Sequence, residues 1–137
     1  MTDELFPFVE KQYRTKSNER ALYGHSYGGL FGTYVVLFKT ELFNKYLLLS
    51  PSLWFTNDRM LQEIEQVDVQ FNNTKLYMAS GDLEGSIDDL QIQFEAKLDQ
   101  RAFADLEYKI ELMENETHRS IFGRGFTNGM RYLYLEN

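Results

Sequence analysis

The sequence contains no cysteine among its 137 residues, and it has two histidines and two prolines. Without cysteine there can be no disulfide framework, no thiolate metal site and no cysteine nucleophile. The two histidines, His25 and His118, lie far apart in the sequence, which argues against a zinc site. We therefore predict neither a metal nor a cofactor. No apolar run reaches the roughly 18 residues that a membrane-spanning helix needs.

Positive charge is also scarce, because 14 Lys and Arg stand against 21 Asp and Glu, which gives a formal net charge of −7. An acidic chain repels phosphate backbones, so we expect no nucleic acid partner, and the lack of a long apolar run predicts no membrane partner. Residues 1–4 are acidic and lack the basic and apolar regions of a signal peptide. This start predicts a cytoplasmic location.

Helical and strand patterns alternate along the chain, which has the length of one domain with a real core, expected over residues 1–137. Strands are predicted at 20–23, 46–49, 76–79 and 106–112, and helices at 2–14, 30–39, 57–66, 86–101 and 119–135. Parallel strands joined by right-handed helical crossovers are the natural arrangement of such a chain. The predicted fold class is α/β, with a parallel sheet of about four strands.

The apolar patterns also predict where the strands and helix ends lie in this fold. The strand at 46–49 is apolar without interruption and should be buried on both faces, whereas the strand at 106–112 alternates and should be an edge strand with one wet face. Asn57 and Ser86 are expected to cap the helices that follow them, with Asp89 completing a capping box. Three glycines are expected to loosen the last helix: Gly123, Gly125 and Gly129.

Residues 24–28 match the pattern G-x-S-x-G, with Gly29 as a further glycine. A serine hydroxyl needs a sharp strand-to-helix turn to stand clear of a sheet, and this pattern lies between a predicted strand and a predicted helix. We expect side chains at Gly24 and Gly28 to collide with neighbouring backbone in that turn. The context predicts Ser26 as a nucleophile. The alternative is a glycine-rich turn that carries a surface serine.

The helix after this turn would direct its free N–H groups at the site, beginning with that of Tyr27, and these could stabilise an oxyanion. His25 adjoins the predicted nucleophile, so its side chain should project away from that of Ser26. We therefore expect His25 to have a structural packing role.

His118 follows the fourth predicted strand and should lie at the same sheet edge as Ser26, where it could act as the general base. The alternative is a solvent-facing loop histidine. Glu84, three residues after a glycine that follows the third strand, is the favoured acid partner. Asp82 is its rival and Asp88 a more distant one, and a Ser–His pair without a carboxylate also remains open. The order serine, acid, histidine is that of α/β-hydrolases.

Several stretches of the chain resemble the carboxyl-terminal part of the esterase D-like family, near siderophore esterases of the enterobactin esterase type. The resemblance covers nearly the whole chain, in order and at sensible spacing. The matching stretches are Glu10-Lys11-Gln12-Tyr13-Arg14, Gly24-His25-Ser26-Tyr27-Gly28-Gly29-Leu30, Leu49-Ser50-Pro51-Ser52-Leu53-Trp54, Gly81-Asp82-Leu83-Glu84, His118-Arg119-Ser120 and Gly129-Met130-Arg131-Tyr132-Leu133.

This resemblance implies serine hydrolysis of carboxylic esters, with Ser26 at the position of the family nucleophile and His118 at that of its histidine. The siderophore branch cleaves trilactones, whereas other members act on simpler acyl esters, and members near that branch can lack a well-placed acid. Family members have further strands before residues 2–14, which carry a second oxyanion-hole N–H and part of the substrate pocket. We expect this chain to lack them. Trp54 and Phe55 could line a pocket or belong to the core.

The favoured function is therefore a serine esterase for small-molecule esters with short or aromatic acyl groups. One alternative is a catalytically weak or silent hydrolase remnant that serves as an interaction module, and another is acyl transfer to an alcohol other than water. Within the strand at 20–23, Ala21, Leu22 and Tyr23 include no charge, proline or covering element, and the charges of Glu19 and Arg20 lie at its start. We expect this open edge to make the protein an oligomer, most simply a homodimer.

Overall fold

Residues 1–135, the part of the chain that the computed structural model describes, contain helices and strands in the order that the sequence predicts. The elements are α1 (Leu5–Gln12), β1 (Ala21–His25), α2 (Tyr27–Phe38), β2 (Lys45–Leu49), α3 (Phe55–Gln66), β3 (Thr74–Gly81), α4 (Ser86–Arg101), β4 (Leu106–Met113) and α5 (Ile121–Tyr134). The four strands pair in parallel in the order β1-β2-β3-β4. This confirms the predicted α/β fold with a four-stranded parallel sheet.

The sheet is covered on both faces, and β2 contributes to the core on each side. Tyr46 and Leu48 pack with the helices α2, α3 and α4, whereas Leu47 and Leu49 pack with α5. All four side chains are buried. The uninterrupted apolar sequence of β2 thus follows from burial on both faces, as predicted.

β4 lies at one edge of the sheet, as predicted, and its polar face is partly open to solvent, with Glu107 exposed and Lys109 and Glu111 half-buried. Glu111 on that face accepts a hydrogen bond from the buried hydroxyl of Tyr77, and Asn128 of α5 donates to it at 3.5 Å. Burial, followed by the contact with Glu111, raises the pKa of Tyr77, which keeps this hydroxyl a donor. Leu112, one of the apolar residues of this alternating pattern, is 45% exposed near the end of the strand.

Two of the three glycines in α5 bring this helix against the sheet and do not loosen it. A Cβ atom at Gly125 would lie 2.8 Å from the side chain of Leu49, and one at Gly129 would lie 2.6 Å from that of Leu47. Gly123 faces open space. α5 is continuous through all three glycines, and sequence spacing alone did not say which of them face the sheet.

The predicted helix caps at Asn57 and Ser86 are also different in the structure. Asn57 has a φ of 54° inside a kinked start of α3, and no side chain caps that helix. Gly85, with a φ of 67°, holds the cap position of α4, and Ser86 is the first residue of that helix. This left-handed conformation favours glycine, so the backbone makes the turn without a capping hydroxyl.

β1 forms the other edge of the sheet, and in the described part of the chain its one strand neighbour is β2. Within residues 1–135, no helix is long and apolar enough to cross a membrane.

Candidate active site

Ser26 stands alone between the last residue of β1 and the first residue of α2, at the carboxyl end of the strand. Its backbone is in an unusual conformation, with φ 59° and ψ −119°. One contact with β2 and one with the loop after it hold Ser26 there, because its N–H donates to the Leu49 carbonyl at 3.0 Å and its own carbonyl accepts from the Ser52 N–H at 3.1 Å. A strained turn that the surroundings fix in this way is typical of a functional site.

The glycines around Ser26 have different roles in this turn. A Cβ atom at Gly24 would lie 2.1 Å from the carbonyl oxygen of Gly28, so a side chain cannot fit there. At Gly29 it would lie 2.9 Å from Cα of Pro51. Gly28 itself has nothing within 4 Å, so the prediction of crowding was right for Gly24 and wrong for Gly28. The second crowded position is Gly29, which faces the loop after β2.

His118 lies in the loop between β4 and α5 and contacts the carboxylate of Glu84, which follows β3. The distance from His118 Nδ1 to Glu84 Oε2 is 2.7 Å. Because the carboxylate accepts, Nδ1 carries the proton, and Nε2 of a neutral imidazole is left as the acceptor. The side chain of His118 is 36% exposed and that of Glu84 is fully buried.

The second carboxylate oxygen of Glu84 also has two donors. Ser50 Oγ donates to Oε1 at 2.7 Å, and the backbone N–H of Gly81 donates to it at 2.6 Å. Three neighbouring groups therefore satisfy one buried carboxylate, as a buried charge requires. They come from the ends of β2 and β3 and from the loop after β4.

The other acid candidates lie elsewhere. Asp82 is exposed, and its backbone N–H donates to the Met113 carbonyl. Asp88 is in the first turn of α4, where its carboxylate accepts from the N–H of Asp89. The structure thus brings Glu84, and neither aspartate, to His118.

The hydroxyl of Ser26 lies 3.4 Å from that of Ser52, which is buried just after β2. Among the described residues, this hydroxyl and not the imidazole of His118 is its hydrogen-bond partner. Catalytic hydrogen bonds are often long or absent before substrate binds, so this rotamer is compatible with a serine nucleophile. Tyr27 is the first residue of α2, and its N–H points out of the helix start beside Ser26.

His25, the last residue of β1, contacts His118 directly. Its Nε2 lies 2.8 Å from the His118 carbonyl oxygen, and the two imidazole rings are 4.6 Å apart. The residue before the candidate nucleophile is therefore in contact with the candidate base, a contact that sequence reasoning did not find.

Ser50 and Ser52 are the other residues at the site to which the sequence analysis gave no role. Both lie within three residues of the carboxyl end of β2. Two signals could have found them: this position, since reactive side chains of parallel sheets lie beyond the carboxyl ends of the strands, and their place in one of the stretches that carry the family resemblance.

Aromatic side chains form an exposed cluster beside Ser26. Tyr27 packs edge to face against Trp54 and Phe55, and all three are more than 40% exposed. Phe55 also lines a cavity of about 650 Å³ between α2 and α3, whereas Trp54 lies outside its lining. The aromatic residues of that lining are Tyr27, Phe31, Tyr34, Phe38 and Phe55. Neither Trp54 nor Phe55 is therefore a core residue.

A parallel sheet with a strained serine turn at its carboxyl edge is the arrangement of an α/β-hydrolase-type protein. The family model Esterase, described as "Putative esterase", matches residues 1–121, and the chain belongs to that family. This match, together with the relatives below, confirms the resemblance to esterases of the enterobactin esterase type.

Two curated relatives and one solved structure illustrate the similarity. The siderophore enterobactin esterase of Emericella nidulans is 44% identical over 59 residues, which cover 42% of this chain and 20% of that protein. The ferri-bacillibactin esterase BesA of Bacillus subtilis is 30% identical over 86 residues, which cover 60% of this chain and 30% of that protein. The solved structure of an IroE-like serine hydrolase of Shewanella oneidensis has a TM-score of 0.85 at 30% identity, and the match covers 97% of this chain and 45% of that one. The chain thus spans less than half the length of each.

The serine turn predicts a sharp difference between two neighbouring glycines. Gly24→Ala should lower the free energy of unfolding by at least about 2 kcal/mol, because its methyl group meets fixed backbone. Gly28→Ala is the matched control and should change that free energy by less than about 1 kcal/mol, since its position is open and helical. Urea unfolding followed by circular dichroism measures both. Equal losses in the two variants would contradict the described turn.

Proposed function

We propose that this chain is a carboxylic ester hydrolase that acts through an acyl intermediate on Ser26. The observation that carries the proposal is the contact between His118 and the buried carboxylate of Glu84 at the sheet edge where the Ser26 turn lies. A neutral imidazole held by Nδ1 presents Nε2 as a proton acceptor, which is the property a serine nucleophile needs.

In the acylation step, Ser26 turns from Ser52 towards His118 and attacks the carbonyl carbon of the ester. His118 Nε2 takes the hydroxyl proton as the bond to Oγ forms. The carbonyl oxygen becomes an oxyanion, which the N–H of Tyr27 and the start of α2 stabilise. The carbon–oxygen bond to the alcohol then breaks, and the alcohol leaves with the proton from His118.

Deacylation repeats these steps with water as the nucleophile. His118 takes a proton from the water as it attacks the acyl carbon, and returns that proton to Ser26 Oγ when the acid leaves. Glu84 stays ionised throughout and stabilises the imidazolium that forms twice in each cycle. Ser50 and Gly81 stabilise Glu84 in this state through their hydrogen bonds to its second oxygen.

The aromatic cluster beside Ser26 supports esters with short or aromatic acyl groups as substrates. Tyr27, Trp54 and Phe55 expose ring faces and edges there, and the cavity between α2 and α3 continues that surface. The aromatic ring of an acyl group would pack well against these aromatic side chains. The names of the relatives add siderophore esters as candidates within this class.

A covalent acyl-serine predicts selective labelling of one residue. A fluorophosphonate probe should modify the wild-type protein at Ser26 and should not modify Ser26→Ala, because the variant has no hydroxyl at the turn. Intact-mass and peptide mass spectrometry locate the label. Ser52→Ala, which lacks the neighbouring hydroxyl, is the control and should still be labelled. Equal labelling of wild type and Ser26→Ala would rule out this nucleophile, and no labelling of either would favour a silent interaction module.

The acid assignment predicts unequal effects of two isosteric substitutions. Glu84→Gln should lower kcat for p-nitrophenyl acetate by at least about tenfold, since it loses the charge that stabilises the imidazolium, whereas Asp82→Asn should leave kcat within about twofold. His118→Ala should lower kcat by a factor of about 10²–10⁴, which is the usual contribution of a general base. If neither carboxylate variant were slower, the site would be a Ser–His pair without an acid.

We also propose that two copies of the chain associate through β1. This strand ends the sheet, with Ala21 and Tyr23 exposed. Tyr23 packs edge to face on Phe122 and Phe126 of α5, so an apolar surface borders the open backbone groups. A two-fold pairing of this edge would satisfy the backbone and cover the rings.

Sedimentation equilibrium at micromolar concentration tests the association. The wild type should have the mass of a dimer, and Tyr23→Lys, which places a charge on the open edge, should shift it to monomer without unfolding. The exposed Ile92 of α4 gives the control, because Ile92→Lys adds the same charge away from β1. A wild-type monomer would overturn the proposed pairing.

A further inference from the structure

The side chain of His25 makes a hydrogen bond that fixes its protonation and its partner. Its Nε2 lies 2.8 Å from the carbonyl oxygen of His118. A carbonyl oxygen accepts only, so His25 Nε2 carries a proton and donates it to the backbone of the candidate base. The ring is half-buried at the end of β1.

The loop that carries His118 is held on both sides of this residue by other contacts. The Leu83 N–H donates to the Glu116 carbonyl at 3.1 Å, and Thr117 and Ser120 bond to each other. These bonds hold the loop ends and leave the peptide group of His118 itself to His25.

Two attachments therefore act on His118, and they restrain different movements. Glu84 holds Nδ1 and sets the tautomer, but one bond at the ring leaves the imidazole free to swing about it. His25 holds the backbone carbonyl and lies against the ring with 4.6 Å between ring centres and 38° between ring planes. Together the two contacts hold the backbone of His118 and its imidazole ring.

His25 is poorly suited to the role of base. Its Nε2 is already committed to the His118 carbonyl, so this nitrogen is not free to accept a proton from Ser26. The contact thus supports a role that acts through His118.

We propose that His25 is a positioning residue that aligns His118 with Ser26 by its hydrogen bond to the His118 carbonyl. The proposal rests on the proposed function, in which His118 is the base. Because His25 adjoins Ser26 in the chain, the same short backbone segment carries the nucleophile and the anchor of the base, so the two move together. A displacement of about 1 Å at such a pair can cost as much as about 10² in rate.

Two substitutions of similar size separate the hydrogen bond from the packing of the ring. His25→Gln keeps an N–H donor at nearly the same reach, and His25→Leu fills the space without a donor. We expect His25→Leu to lower kcat for p-nitrophenyl acetate about tenfold with KM changed less than about twofold. His25→Gln should recover kcat to within about threefold of the wild type.

A second measurement does not depend on turnover. The Nδ1 proton of His118, hydrogen-bonded to Glu84, should give a low-field proton resonance in wild type and His25→Gln, and that resonance should be broadened or lost in His25→Leu. Wild-type kcat and resonance in His25→Leu would overturn the proposal, as would equal losses in both variants. If His25→Leu does not fold, His25→Asn, whose amide is too short to reach the carbonyl, replaces it with the same expectations. A wild type without esterase activity but with this pattern of resonances would reject the proposed function and keep the positioning role.

Discussion

The buried carboxylate of Glu84 is the interaction on which the candidate site depends. A charge removed from water is costly unless every oxygen has donors, and here the hydroxyl of Ser50, the N–H of Gly81 and the ring of His118 supply them. These donors come from three separate parts of the sheet edge. Satisfying one charge therefore also fixes the relative positions of β2, β3 and the loop after β4. Removal of any one donor would leave part of a charge unpaired inside the protein.

Much of the fold could be predicted because its signals are local. The alternation of strands and helices, the double-sided burial of β2 and the position of Ser26 between a strand and a helix all follow from short stretches of sequence. Glu84 was favoured over Asp82 from spacing, and the structure places the former and not the latter at His118. The parallel order of strands then placed these residues at one edge.

The parts of the fold and of the candidate site that could not be predicted depend on contacts between residues far apart in the sequence. No local pattern contains such contacts. The bond from His25 to His118 spans 93 positions, and the contact of Ser50 with Glu84 spans 34. Left-handed conformations were missed for a related reason. Asn57 has the composition of a helix cap but adopts a φ of 54°, and Gly85 takes the cap position that Ser86 was expected to hold. A cap pattern read from composition does not say which residue of a turn takes the positive φ.

The glycines of α5 have a consequence for the geometry of the candidate site. Gly125 and Gly129 let the helix axis approach the sheet until its backbone meets the side chains of Leu49 and Leu47. Two residues separate His118 from the start of this helix, so a shift of α5 would also move the loop that carries the imidazole. Ser26, the candidate nucleophile, is attached to the opposite layer through α2. The two halves of the candidate site are thus carried by helices on opposite faces of the sheet. A side chain added at Gly125 or Gly129 would displace one of these helices without touching the site.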